Sequence, residues 1–182
     1  DGGVCAAKGV LCNGIHCGIR KNKNKKEKGK TAPAIPKAVK SFLSDTSSFS
    51  PEWSGSILRM LPESVRGAYP LLREHLRILS AGICIGEAKG KDFIPAEELA
   101  LSTALRPDAF PVADLDWDDA IRYLKKEALL LPAGTEKGYV LVRHKKFPLG
   151  FAKHLGNRAN NLYPQEWRIR TGYVPEQVKT FE

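Results

Sequence analysis

The residues with the clearest chemical potential lie late in this 182-residue chain, between positions 137 and 170. This segment carries eight basic side chains against the single acid Glu166. Lysine and arginine neutralise phosphates. Asparagine and glutamine offer paired donors and acceptors for base edges or 2′-hydroxyls, and histidine, tyrosine and tryptophan offer ring faces for stacking. The combination predicts a surface that binds RNA.

The residues predicted to contact RNA are the polar, charged and aromatic side chains of this segment. They are Lys145, Lys146, Lys153, His154, Arg158, Asn160, Asn161, Tyr163, Arg168 and Arg170. The alternative is a solvated basic loop, in which Tyr163 and Trp167 are buried hydrophobic anchors and the asparagines cap turns. Both interpretations stay open for the two aromatic residues and for Asn161.

The charge of the whole chain supports a polyanionic partner. The net charge is +9 and the pI is about 9.4, values that favour nucleic acid. The charge is uneven, because residues 1–34 hold eight bases against two acids, whereas residues 92–119 hold eight acids against Arg106. One alternative is therefore a protein-interaction module in which the acidic segment docks against the basic one.

Several classes of protein are disfavoured. No run of 18 apolar residues occurs, so no membrane span is predicted, and no secretory leader is recognisable. We therefore expect a cytoplasmic monomer that has no membrane partner. The chain begins at Asp1 and its only methionine is Met60, so we expect it to be part of a longer protein.

Motifs for catalysis or metal binding are weak. No G-x-G-x-x-G occurs, and Gly29-Lys30-Thr31 lacks the earlier glycine of a phosphate-binding loop, because that position is Asn24. The four histidines lie in separate segments, so we predict no catalytic residue, with an enzyme that uses a Cys–His pair as an alternative. A small group of thiols and one imidazole matches no common zinc spacing; we predict no metal site, although metal binding by this group stays open. Its members are Cys5, Cys12, His16 and Cys17.

The elements that must position the basic segment predict an α+β fold with short strands. Apolar patterning predicts strands at 138–144 and 149–153 around a tight turn. Asp116 is the predicted N-cap of a preceding helix. The predicted apolar face of that helix comprises Trp117, Ile121, Leu124 and Ala128. Residues 154–170 are predicted to be irregular.

Earlier in the chain the pattern is more broken. It predicts strands at 55–61, 76–79 and 83–88 and a helix that begins at Pro95, whereas residues 44–51 are predicted to be a loop. Breakers at Pro107 and Pro111 mark a boundary. The predicted organisation is a basic flexible arm or linker at 1–34, a first α+β subdomain at 35–110 and a second at 111–182.

Two stretches resemble a known family. The run FPLGFAK at 147–153, with GNR at 156–158 and NNLYP at 160–164, resembles the closing pattern of RsmF-like ribosomal RNA cytosine-C5 methyltransferases of the Nol/Nop/Sun family. The run LRILSAGICIGE at 76–87, with the segment 93–101, resembles the part of the family that precedes it. The similarity extends from about Ile35 to Arg170. Ala96-Glu97 departs from it, standing where the family pattern has Ser-His.

The resemblance implies a PUA-like β-barrel or pseudobarrel at 111–182 and an RNA-binding C-terminal module. Family members methylate cytosine with S-adenosylmethionine, using a cysteine that follows a proline. None of the four cysteines here follows a proline, so we expect no cofactor on this chain. S-adenosylmethionine is then expected in a catalytic domain of the parent protein, for which this module would position ribosomal RNA in cis. The alternative is a free-standing RNA-binding or ribosome-assembly factor without methyltransferase activity.

Overall fold

Short strands provide most of the regular structure in the computed structural model, which describes residues 15–18 and 37–172. Contacts divide the chain into two units, the first ending at Ile94 and the second beginning at Pro95. Both units combine strands with short helices, so the predicted α+β class is confirmed. Within the described ranges, no helix has the length and hydrophobicity that a membrane span requires.

The first unit contains a four-stranded sheet and a two-stranded pair. Its elements are β1 (Ile15–Gly18), α1 (Lys37–Lys40), β2 (Phe49–Ser54), β3 (Ile57–Pro62), α2 (Glu63–Arg66), α3 (Tyr69–His75), β4 (Arg77–Ala81), β5 (Ile83–Lys89) and β6 (Asp92–Pro95). The sheet order is β2-β3-β5-β6, and β1 pairs with β4. The predicted strands near 76–79 and 83–88 are therefore present, although they pair with other strands and not with each other.

The second unit contains the basic segment. Its elements are α4 (Glu97–Ala100), β7 (Val112–Leu115), α5 (Trp117–Leu124), β8 (Gly138–His144), β9 (Phe147–His154) and β10 (Ala159–Asn161). The sheet order is β10-β9-β8-β7, with β7 parallel to β8 and the other neighbours antiparallel. Among the described residues β7 and β10 thus lie at the two ends of an open sheet and do not pair with each other, and Leu129 forms an isolated antiparallel bridge to Ala159 of β10.

Helix α5 crosses from β7 to β8 and covers one face of this sheet. Asp116 caps it as predicted, because its Oδ1 accepts a hydrogen bond from the Asp119 amide at 2.8 Å. The fully covered side chains are Ala120 and Tyr123, whereas the predicted apolar residues are only half-buried. The predicted apolar face of α5 therefore differs from the buried face. The prediction omitted Tyr123, a large side chain whose hydroxyl has a hydrogen-bond partner inside the fold. Ala128 lies beyond the end of the helix.

The α5 C-terminus has the hydrogen bonds of a Schellman motif. The Glu127 amide donates to the Arg122 carbonyl and the Lys126 amide donates to the Tyr123 carbonyl, both at 2.9 Å. Lys126 has φ 62°, a left-handed conformation that glycine usually adopts. The lysine Nζ donates to the Tyr163 carbonyl. This contact ties the end of α5 to the chain that follows β10.

The division at 94/95 differs from the boundary predicted at 110/111. Helix α4 packs on β9 and Leu99 is fully buried, so the segment from Pro95 onwards is part of the second unit. Proline and aspartate breakers marked a break in regular structure, but they did not show which sheet α4 would cover. The predicted arm at 1–34 lies outside the described residues except for the backbone of β1.

Candidate nucleic-acid interface

A row of three side chains crosses β8, β9 and β10. Tyr139 is paired in register with Lys153, and Lys153 is paired with Asn160. Residues directly opposite each other in antiparallel strands project from the same face of the sheet. Lys153 Nζ lies 4.8 Å from the Tyr139 ring centroid and 3.3 Å from the Tyr139 hydroxyl. The row therefore places an aromatic ring, a cation and an amide side by side.

The loop between β9 and β10 brings further cations to this end of the sheet. The Leu155 amide donates to the Arg158 carbonyl and closes the loop, and the Arg158 side chain is exposed. Lys137 reaches over Gly156, because a Cβ at that glycine would come within 2.8 Å of Lys137 Cε. His154 Nδ1 lies 3.1 Å from the Glu136 carbonyl. Lys137 and Arg158 thus lie at the end of the sheet where the β9–β10 loop follows Lys153.

Asn160 and Asn161 face opposite sides of the sheet, because side chains alternate along a strand. The Asn161 amide nitrogen donates to the Tyr123 carbonyl at 2.8 Å and to the Glu127 carbonyl at 3.1 Å. Its oxygen accepts from the Tyr163 amide at 2.9 Å. These three hydrogen bonds give the Asn161 side chain a structural role. This is the alternative that the sequence analysis left open for this residue. RNA binding by Asn161 stays a prediction.

Lys145 and Lys146 lie at the other end of the β8–β9 hairpin from Lys153. They form its two-residue turn, since His144 pairs with Phe147, and both are exposed. Lys145 has φ 56°, a strained conformation for a residue other than glycine. The predicted cations therefore form separate groups on the second unit, and the structure does not bring them all together.

A third group follows β10. Tyr163 contacts Tyr123 with ring centroids 5.4 Å apart, and Trp167 contacts Tyr163 at 6.3 Å. Tyr163 is half-buried against the core, and burial raises its pKa. Arg168 and Arg170, which flank this ring series, are exposed. Tyr163 is thus an anchor within the fold, whereas Trp167 and the two arginines are at the surface.

Among the described residues, the ion pairs of the second unit use arginines other than the exposed predicted cations. Ion pairs of the second unit join Arg106 to Asp108, Arg122 to Asp119 and Arg143 to Asp114. The last is bidentate, at 2.6 and 2.7 Å, and it lowers the pKa of Asp114. Within 37–172 none of the exposed predicted cations takes part in an ion pair, and each remains available to an anion. They are Lys145, Lys146, Arg158, Arg168 and Arg170.

Glu97 on α4 is a buried carboxyl, 7% exposed, against β9. Its Oε2 lies 3.4 Å from the Tyr123 hydroxyl, which donates its one proton to the Phe151 carbonyl at 3.0 Å. Its Oε1 has no hydrogen-bond partner. Burial raises the pKa of Glu97 to about 7, although the Phe151 amide, Tyr123 and Lys126 favour the ionised form. A protonated Glu97 can donate to the Tyr123 oxygen, which the ionised form cannot do.

Gly150 makes room for this carboxyl. It has φ +150°, and a Cβ there would overlap both Glu97 oxygens and the Tyr123 hydroxyl. The glycine of the 147–153 run thus has a packing role: it lets α4 approach β9 closely. The family departure at Ala96-Glu97 lies at this contact, where the carboxyl is enclosed by the core and touches no open surface.

Metal binding by the N-terminal thiols lies largely outside the described residues. Cys5 and Cys12 are not described, and for His16 and Cys17 only the strand backbone is. In the ranges 15–18 and 37–172 no cluster of three or more possible metal ligands is found.

Sequence reasoning missed two residues of this surface, Lys137 and Tyr139. Lys137 directly precedes β8 and Tyr139 is the second residue of that strand, whereas the predicted site began only at Lys145. The signal that could have identified Tyr139 is the strand register, because the pairing of β8 with β9 places it opposite Lys153. The predicted turn at 145–148 would have paired His144 with Leu149 and therefore Tyr139 with His154. The structure instead has a two-residue turn and a bulge at Val142/Arg143, and it pairs Tyr139 with Lys153.

Residues 110–169 match the family model of the methyltransferase RsmF PUA domain. Two curated relatives are each named ribosomal RNA small subunit methyltransferase F. The protein from Shewanella baltica is 32% identical over 110 residues, which cover 58% of this chain and 22% of the relative. The protein from Shewanella pealeana is 32% identical over 92 residues, covering 50% of this chain and 18% of the relative.

The matched chain spans about a fifth of the length of these relatives. The comparisons confirm the resemblance to an RsmF-like C-terminal region, which for residues 110–169 is a match to the model of the RsmF PUA domain. The domain match begins just before β7 and ends after Trp167, so it includes the row on β8, β9 and β10 and all of the predicted RNA-contacting residues except Arg170.

Proposed function

We propose that the second unit is the RNA-binding module of a ribosomal RNA cytosine-C5 methyltransferase and positions ribosomal RNA for a catalytic domain of the same protein. The single observation that carries this proposal is the row of Tyr139, Lys153 and Asn160 on a PUA domain of the RsmF type. A lysine can contact a phosphate while the neighbouring amide reads a base edge or a 2′-hydroxyl. Lys137 and Arg158 extend the positive surface beside it.

On this proposal S-adenosylmethionine is bound by the catalytic domain and not by the present residues. A groove of about 220 Å³ in the first unit is lined by Val39, Leu43, Phe49, Pro51 and Met60, with Lys40 and Thr46 as its polar residues. It is smaller than usual ligand pockets and has no carboxylate for ribose hydroxyls. The groove therefore does not fit this cofactor, and no methyl-transfer step is assigned to the chain.

The test measures the affinity of the chain for transcripts of small-subunit ribosomal RNA at several salt concentrations. If about five phosphates are neutralised, the logarithm of the affinity falls with the logarithm of the salt concentration at a slope of roughly −3.5 to −4.5. The double change Lys153→Ala with Arg158→Ala is expected to weaken binding by about 1–3 kcal/mol. The melting temperature should stay nearly unchanged, because Arg158 is exposed and Lys153 is half-buried.

A matched control removes the same charge elsewhere. Lys89 and Lys91 are exposed residues at the β5–β6 turn of the first unit, and changing both to alanine should leave the affinity within about threefold of wild type. An equal loss in both double variants would show that net charge alone determines binding. Absence of binding at low salt, or affinity independent of salt, would contradict the proposed function.

A further inference from the structure

Trp167 is a large aromatic side chain that the fold leaves 47% exposed in a polar turn. The aromatic ring of Tyr163 contacts it at an interplanar angle of 74°. A ring that stands nearly perpendicular to the indole covers at most one of its faces. With almost half of the side chain accessible, the other face is available for contact with a flat partner.

The ring is held in place by the surrounding structure. Tyr163 connects Trp167 to Tyr123, whose side chain is fully buried and hydrogen-bonded to the Phe151 carbonyl. The Trp167 amide donates to the Pro164 carbonyl at 3.2 Å, and the Ile169 amide donates to the Leu124 carbonyl at 3.0 Å. The turn is thus anchored on both sides of the tryptophan, so little further ordering is needed when a partner binds.

The charge around the ring identifies the class of partner. Arg168 and Arg170 are exposed, and within residues 37–172 neither forms an ion pair. An exposed indole followed in the chain by two exposed arginines, one and three residues away, matches a stacked base with its neighbouring phosphates. A protein partner of the usual apolar kind would have to desolvate both arginines.

From this geometry we infer that Trp167 stacks on an unpaired RNA base while Arg168 and Arg170 contact the adjoining phosphates. The inference rests on the proposed function and specifies the RNA: the bound element presents at least one unstacked nucleotide, such as a bulge or a loop. A continuous duplex keeps its bases stacked inside the helix and offers none to the indole.

The experiment uses the full chain and two fluorescein-labelled RNA hairpins that differ by one bulged adenosine. Wild type should bind the bulged hairpin about tenfold more tightly than the paired one, and Trp167→Ala should remove that difference. Trp167→Phe should retain most of it, because phenylalanine keeps a stacking face. Phe147→Ala removes another exposed aromatic, 71% accessible, next to the turn of the β8–β9 hairpin, and should leave the preference unchanged.

A spectroscopic reading gives the result even if Trp167→Ala fails to fold. With 2-aminopurine at the bulge, stacking should quench the base fluorescence when wild type or Trp167→Phe binds. Binding of the bulged hairpin without quenching, or equal affinity for both hairpins, would overturn this inference. It would leave the proposed function standing if the salt dependence is present. Failure of wild type to bind either hairpin or ribosomal RNA would instead remove the proposed function.

Discussion

Single residues of the second unit show how closely stability and charge are linked. Glu97 is enclosed by α4, α5 and β9, with Tyr123, Tyr163 and Lys126 as the ionisable groups that act on it. Burial outweighs the favourable effect of Lys126 and of the hydrogen bonds, so the carboxyl keeps its proton in the folded state at a pH where an exposed glutamate has lost it.

The pH dependence of stability follows from this shift. Between the ordinary pKa of 4.5 and the folded pKa of about 7, the folded state holds a proton that the unfolded state releases. The free energy of unfolding should therefore fall as the pH rises through this window, by about 3 kcal/mol in total. Glu97→Gln, which is neutral at every pH, should remove most of this fall and should be the more stable protein at pH 8.

Urea unfolding at pH 5 and pH 8 measures this effect. Glu136→Gln is the matched control, because it changes an exposed carboxyl of the same unit and should preserve the pH dependence of wild type. A Glu97→Gln protein that loses stability between pH 5 and pH 8 as steeply as wild type would show that Glu97 is ionised in the folded state.

At the scale of the element, the alternation of side chains along β10 gives the adjacent residues Asn160 and Asn161 different roles. Asn161→Ala breaks three hydrogen bonds at the end of α5 and should lower the free energy of unfolding by about 2–3 kcal/mol. Asn160→Ala removes an exposed side chain and should change it by less than about 0.5 kcal/mol. Affinity for ribosomal RNA, in contrast, should fall for Asn160→Ala.

Thermal melting and RNA binding of the two variants, measured side by side, test this separation. Asn161→Ala should be assayed well below its melting temperature, so that its affinity for RNA reports on binding and not on unfolding. Reversed effects, with Asn160→Ala destabilised and Asn161→Ala impaired in binding, would mean that β10 pairs with β9 in a register shifted by one residue.

The sequence predicts the long, regularly patterned elements well and the short or irregular ones poorly. The alternation of residues 138–144 and 149–153 located β8 and β9, and Asp116 located the start of α5. The first three residues of β2 were predicted to belong to a loop at 44–51, yet β2 is an edge strand, where its Pro51 is tolerated. Strand β10 has three residues, too few for a period to separate Asn160 from Asn161.

The candidate site was predicted by residue type but not by arrangement. The sequence identified Lys153, Arg158 and Asn160 from their chemistry. Their assembly with Tyr139 depends on the pairing of three strands, a long-range property that composition does not contain. The predicted hairpin already implied that Lys145 and Lys146 lie at its turn and Lys153 at its other end, but the predicted site grouped them by residue type alone.

At the scale of the whole molecule, the division at 94/95 predicts which fragment is stable. Residues 95–182 keep α4 and its buried Leu99 against β9, whereas residues 111–182 lose both. The shorter fragment should be less stable by at least about 2 kcal/mol, because the surface that Leu99 covers becomes exposed. The longer fragment should bind ribosomal RNA within about threefold of the full chain.

Urea unfolding and RNA titration of both fragments measure these differences. Equal stability of the two fragments would show that α4 contributes little to the second unit. A longer fragment that folds but has lost most of its affinity would place essential RNA contacts in the first 94 residues, where the basic arm lies.

The contact between Gly150 and Glu97 restricts how this domain can change over time. A methyl group at position 150 would occupy the volume of the carboxyl, so the strand cannot acquire even alanine while a glutamate remains on the helix. The two sites must therefore change together: a bulkier strand position requires a shorter side chain at 97 and also a shift or replacement of Tyr123, whose hydroxyl would overlap the same Cβ position. Among homologues we expect non-glycine residues at the first position to occur together with small ones at the second.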